Sequence, residues 1–114
     1  MTTKRGKALA CELLEGTRIA QRPQRSQPAA RLEIDGGWTV GYLWSHRDGS
    51  MRLQIPEAAL SGSPRSLLKL SRRDGRRRRG NGNRSFLVDE ASIGLARAAL
   101  AAAVEYAAER SEAA

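Results

Sequence analysis

The clearest pattern in the chain is an alternation of apolar and polar residues in three consecutive segments, residues 31–35, 38–45 and 50–55. Side chains of a strand point alternately to its two faces, so this period of two predicts β-strands that each have one apolar face. A glycine pair and the sequence HRDG separate the segments, and both are typical of hairpin turns. Three antiparallel strands in a meander are therefore predicted.

The middle strand places four large residues on one face, Trp38, Val40, Tyr42 and Trp44. As part of the core, this row would pack under a helix. As an open platform, it would stack nucleic-acid bases. We favour the core, because the row then continues the apolar face of the neighbouring strands, which is formed by Leu32, Ile34, Met51, Leu53 and Ile55.

Helical spacing of apolar residues appears at the two ends of the chain. Residues 3–15 carry a narrow apolar stripe, and Gly16 is a plausible end of that helix. Asp89 is a good N-cap for an alanine-rich helix that runs to about Arg110. Between the first helix and the first strand, residues 17–29 are basic, rich in Pro and Gln and without periodicity, so they are expected to be extended or disordered.

The apolar arc of the C-terminal helix is wider than one sheet face would cover. A second helix is therefore expected against it, either the N-terminal helix or the same helix of a second copy. In the second case the chain would form a homodimer through one side of the helix, with contacts from Leu95, Ala99, Ala102 and Tyr106.

Residues 66–71 fit two structures. A helix could begin at Ser63-Pro64, or a strand could pair with residues 85–88 across the intervening segment, and we favour this hairpin. The expected fold is α+β, with an antiparallel meander of four to five strands under the long C-terminal helix. Residues 1–29, a short helix and a basic linker, would precede a single domain at 30–114.

Positive charge is concentrated in one segment, residues 72–84, which contains no apolar side chain. Seven arginines against one aspartate give this segment a net charge of +6, within a chain whose net charge is +8. Its glycines and asparagines are typical of turns, so a flexible loop is predicted. Clustered guanidiniums on such a loop favour a polyanionic partner, because arginine binds phosphate in a bidentate manner.

The sequence contains few residues that could carry out catalysis. Cys11 is the only cysteine and His46 the only histidine, so neither a disulfide nor a zinc site is expected within the chain. We expect no catalytic residues, no metal, no cofactor and no enzymatic activity. The absence of a signal peptide and of a long apolar segment predicts a cytoplasmic protein that does not enter a membrane. A bacterial, phage or plasmid origin is expected.

Nucleic-acid binding through the phosphate backbone is the function that these features favour, with DNA and RNA both possible. The main contacts would be Arg72, Arg73, Arg76, Arg77, Arg78, Arg79 and Arg84. Secondary contacts would come from Lys4, Arg5, Lys7, Arg22 and Arg25. The polar sheet face would add Arg31, Arg52 and Lys69, beside Gln54. The alternative is an inhibitor or adaptor that docks its arginine loop on an acidic protein surface or in a partner's nucleic-acid channel.

Overall fold

A computed structural model describes residues 4–23, 29–34, 37–46, 50–60, 72–74 and 82–113. Two helices and a six-stranded sheet make up this part of the chain. Helix α1 spans Lys4–Leu14 and helix α2 spans Ile93–Ala113. The strands are β1 (Ala20–Pro23), β2 (Ala29–Ile34), β3 (Trp38–Ser45), β4 (Met51–Pro56), β5 (Arg72–Asp74) and β6 (Asn83–Val88). A short 3-10 helix, Glu57–Leu60, follows β4.

The sheet has the order β1-β2-β3-β4-β6-β5, and every neighbouring pair is antiparallel. The predicted α+β architecture is confirmed, and the three strands of the predicted meander are β2, β3 and β4. One strand more than expected is present, because residues 20–23 of the basic linker pair with β2 at the edge of the sheet. The chain before residue 30 thus contributes to the same sheet.

Strand pairing also reaches into the arginine-rich segment. The short edge strand β5 pairs with β6, with Arg72 opposite Ser85 and Asp74 opposite Asn83. Residues 75–82 therefore connect two paired strand ends, as in a hairpin. The prediction for residues 66–71 lies outside the described residues, as does most of the connection itself.

Helix ends agree only in part with the sequence predictions. Helix α1 ends at Leu14, two residues before the expected stop at Gly16, which has a left-handed φ of 76°. Helix α2 does not begin at Asp89, and that prediction was wrong. The carboxylate of Asp89 instead accepts a hydrogen bond of 2.7 Å from the backbone N–H of Ser92, which closes a turn before the helix. The first helical bonds then reach the carbonyl of Ser92.

The core lies between one face of the sheet and the two helices. Its fully buried members come from every described layer, namely Leu13, Leu32, Leu53, Ile55, Leu60, Phe86 and Leu100. Helix α1 packs against α2, so it supplies the second helix that the wide apolar arc requires. On that arc Ala99 is buried, while Leu95, Ala102 and Tyr106 are half-buried. Homodimerisation through this arc stays a prediction.

A β-bulge in β3 overturns the prediction for the aromatic row. Leu32 pairs with Gly41 and Glu33 pairs with Thr39, so Val40 is an extra residue without a partner opposite it. The alternation changes sides at this point. Val40 is buried on the helix side, whereas Tyr42 and Trp44 lie on the opposite face of the sheet. The core interpretation was therefore wrong for both of these rings.

Gly41 is required at the bulge by close approach of the backbone. A Cβ atom at this position would lie 2.5 Å from the carbonyl oxygen of Gln54 on the neighbouring strand. No side chain fits in that space, because real Cβ contacts are longer. The glycine thus allows β3 to run close to β4 immediately before Tyr42 turns outward.

Candidate nucleic-acid interface

The sheet face opposite the helices is called the outer face here. The strand register places on it the side chains that alternate with the core residues, namely Arg22, Arg31, Tyr42, Trp44, Arg52 and Gln54. Among the described residues, both helices pack on the other side, in one core cluster with Leu32 and Leu53. The outer face therefore carries polar and aromatic groups that the core does not use.

One row of the outer face crosses all six strands and is called the transverse row here. By register it runs through Arg22, Arg31, Tyr42, Gln54, Ser85 and Arg72. Neighbouring strands are about 4.8 Å apart, so the row is about 24 Å long. An arginine position stands at each edge of the sheet, and the tyrosine lies near the centre. The row ends on β5, the strand that leads into the segment with Arg76 to Arg79.

Each outer aromatic residue has an arginine directly across from it on a neighbouring strand. Arg31 of β2 is opposite Tyr42, and Arg52 of β4 is opposite Trp44. Cβ atoms of such pairs are roughly 5 Å apart. In the described part of the chain the cation–π contact is elsewhere, with Arg110 over Tyr106 at 5.0 Å. Among the described arginines, the two outer rings thus have guanidiniums beside them and none over them.

A hydrogen bond fixes the indole of Trp44. Its Nε1–H donates to the side-chain oxygen of Gln54, at 3.0 Å. Because Gln54 stands on β4, one position further along the outer face, the bond draws the indole across the sheet towards that strand. A ring held in this way loses little side-chain entropy when a ligand stacks on it.

Charge on the outer face is only partly compensated. Glu33, whose side chain is 10% exposed, lies 3.3 Å from Nη2 of Arg31 and 3.7 Å from Nε of Arg22. Arg52 has no ion pair with any residue that the structure describes. Three guanidiniums against one carboxylate leave a net charge of +2 on the described outer face. The carboxylate holds Arg22 and Arg31 beside each other without neutralising both.

The other sequence-predicted contacts are dispersed. Arg84 lies apart from the outer face, since it is opposite the buried Ile55 and its guanidinium is 3.5 Å from the carboxylate of Glu57. Its side chain is 18% exposed, and its contact with phosphate stays a prediction. Lys4, Arg5 and Lys7 belong to α1, in the helical layer. The predictions for Arg25, Lys69 and Arg76, Arg77, Arg78 and Arg79 lie outside the described residues. Arg73 is opposite Arg84 in the ladder.

Oγ of Ser85 and Nε of Arg31, both in the transverse row, are buried without a hydrogen-bond partner among the described residues. A buried hydroxyl without a partner costs about 1–3 kcal/mol, so replacement of Ser85 by alanine is expected not to destabilise the sheet. The residue lies between Gln54 and the Arg72 position.

A shallow groove of about 170 Å³ lies at the other side of the sheet, beside the end of α2. Trp38, Tyr106 and Arg110 line it, together with small residues. Trp38 is 36% exposed, and Arg110 donates a hydrogen bond of 2.6 Å to the Tyr106 hydroxyl. Trp38 and Trp44 of the same strand thus occupy opposite sides of the sheet.

In the described ranges no three His, Cys, Asp or Glu side chains lie close enough to hold a metal ion. No described helix is both long and apolar enough to cross a membrane. Comparison of the chain with known protein families, with curated proteins and with solved structures finds no match.

Sequence reasoning missed two members of this arrangement. The first is Glu33, whose place beside Arg31 follows from their i, i+2 spacing on one strand. The second is the pair of Trp44 and Gln54, because the bulge had to be recognised before the two could be placed on one face. A glycine inside a strand pattern is a known sign of a bulge, so Gly41 was the available signal.

Proposed function

We propose that the chain binds nucleic acid, with the arginines of the β5–β6 hairpin and of the outer face on the phosphate backbone. The observation that carries the proposal is the register of the transverse row. It joins Arg22 and Arg31 at one edge of the sheet to the Arg72 position at the other, where the segment containing Arg76 to Arg79 begins. A basic surface of this length suits a charged polymer better than a small anion.

A variant with Arg76, Arg77, Arg78 and Arg79 all replaced by serine tests the hairpin. If each contact contributes about 1 kcal/mol, as a charge-assisted hydrogen bond does, binding should weaken by several kcal/mol. The loss should be similar for unrelated sequences, because phosphate contacts do not read bases. Stability should stay within about 0.5 kcal/mol. Mobility shifts with DNA and RNA, together with thermal unfolding, measure these effects.

Two single substitutions that remove the same charge provide a matched control. Arg52→Ser acts on the outer face, at an arginine without an ion pair in the described structure. Arg97→Ser acts on the exposed side of α2, where Arg97 reaches the carbonyl of Glu15 at 3.5 Å. Binding should weaken about fivefold for the first variant and stay unchanged for the second. Equal losses of affinity for the two variants would mean that binding depends on net charge alone.

Three results would count against the proposal. A large fall in melting temperature for the fourfold serine variant would mean that these arginines are structural, paired with acids of α2 such as Glu105, Glu109 or Glu112. An unchanged affinity would remove the hairpin from the site. Absence of binding to any nucleic acid would favour the alternative, an adaptor whose arginines dock on an acidic protein.

A further inference from the structure

We infer that Tyr42 and Trp44 stack two bases of a single strand, so that the outer face prefers single-stranded over double-stranded nucleic acid. This inference rests on the proposed nucleic-acid binding and adds the class of ligand. Bases of a duplex are already stacked on each other, and only an unpaired base offers its flat face to a side chain.

The placement of the two rings supports this assignment. They are two residues apart on β3, which separates their Cα atoms by roughly 7 Å along the strand. Both lie on the outer face, and neither has the guanidinium of a described arginine over it. No cation–π contact with a described arginine has to be broken before a base stacks on either ring.

The charge beside the rings has the sign and position that a single strand needs. Arg31 flanks Tyr42 on β2, and Arg52 flanks Trp44 on β4. A strand whose bases lie on β3 would carry its phosphates towards these two guanidiniums. Arg52 has no ion pair among the described residues, and the two arginines that contact Glu33 exceed it in charge.

Trp44 also has a fixed orientation before any ligand arrives. Its Nε1–H donates a hydrogen bond of 3.0 Å to the side-chain oxygen of Gln54, and the residue is half-buried, so the ring does not swing freely into solvent. An aromatic residue that served only as core would be expected on the helix side of the sheet. The bulge at Val40 places this one on the other side.

The two tryptophans of the chain allow a direct test, because they lie on opposite sides of the sheet. In Trp38→Phe the fluorescence reports on Trp44 alone, and in Trp44→Phe it reports on Trp38 alone. Each variant is titrated with an oligothymidylate of about 12 nucleotides, a length within the range that small binding modules cover. Quenching is expected in Trp38→Phe and no change in Trp44→Phe.

Affinity measurements with the same oligothymidylate show how much each ring contributes to single-strand binding. Tyr42→Ala and Trp44→Ala should each weaken single-strand binding about 5- to 150-fold and leave duplex binding within about twofold. Tyr42→Phe keeps the ring and should bind as the unmodified chain does. Leu87→Ala is the matched control, because Leu87 lies on the outer face opposite Arg52 but has no ring.

The possible outcomes distinguish a failure of base stacking from a failure of nucleic-acid binding. If the probe shifts in the gel but Trp44 is not quenched, nucleic-acid binding stands and base stacking is refuted. Equal losses for single strand and duplex in Tyr42→Ala would also refute stacking. If Trp44 in the free Trp38→Phe variant is shielded from acrylamide, the face is not accessible and the inference fails. If neither probe binds, both the inference and the proposed function fail.

Discussion

The two faces of the sheet carry different kinds of residue, although the same strands form both. On the inner face Leu32, Leu53 and Phe86 are essentially inaccessible and pack against the helices. On the outer face Arg31, Tyr42 and Trp44 are half-buried, and the indole of Trp44 donates a hydrogen bond to Gln54. The centre of the inner face is made of aliphatic residues and Phe86, with Trp38 near its margin, whereas the outer face has Tyr42 and Trp44 beside arginines.

From this difference we expect the inner face to determine stability and the outer face to determine binding. Burial of apolar area is the main source of folding free energy, so the inner face should dominate stability. Tyrosine and tryptophan beside arginine are the residues that binding surfaces favour. Substitutions on the two faces should therefore separate stability from binding.

The largest expected effect is on the inner face. Leu53→Ala removes a side chain with 0% exposure from the middle strand pair and should lower the free energy of unfolding by about 2–5 kcal/mol. Leu87→Ala, on the outer face of the next strand, should cost about 1 kcal/mol or less. Urea unfolding followed by circular dichroism measures both. A larger loss for Leu87 would show that the two faces are wrongly assigned.

A smaller effect is expected where the sheet changes sides. Gly41→Ala would place a Cβ atom against the Gln54 carbonyl, and overpacking of this kind costs about 1–3 kcal/mol. The variant should also disturb the outward position of Tyr42. Gly94→Ala is the control, because a Cβ atom there meets nothing within 4 Å and alanine favours a helix by up to about 1 kcal/mol. Similar thermal shifts for both variants would contradict the close approach at Gly41.

The smallest predicted change has the opposite sign. Ser85→Ala removes a buried hydroxyl that has no partner, so stability should stay the same or rise by about 1 kcal/mol. Asp89→Ala removes an oxygen that does accept a hydrogen bond and should cost about 1 kcal/mol. Calorimetry of the two variants compares them. A clear loss for Ser85→Ala would mean that its hydroxyl is satisfied.

Local patterns were sufficient for the three strands of the meander and for the two helices. Alternation predicted β2, β3 and β4, and helical spacing predicted α1 and α2, because each element buries one face and that face is visible in the sequence. Strand β1 was not predicted. Its four residues are all exposed, so no apolar alternation marks it, and its place follows only from pairing with β2.

The candidate site was harder to predict, because it depends on which way side chains point. Arg31, Arg52 and Gln54 were placed correctly on the polar face, since their neighbours Leu32 and Leu53 are plainly core. Tyr42 and Trp44 were placed on the wrong face. One extra residue at Val40 reverses the alternation for every residue after it, and the pattern of apolar letters does not reveal that shift.

The salt dependence of nucleic-acid affinity tests the central claim most directly. If four to six arginines of the hairpin and outer face contact phosphates, log K for a nucleic-acid probe should fall with log[salt] at a slope of about −3 to −5. The fourfold serine variant at Arg76 to Arg79 should show a clearly shallower slope. A slope near zero for the unmodified chain would contradict the proposal that it binds nucleic acid through its arginines.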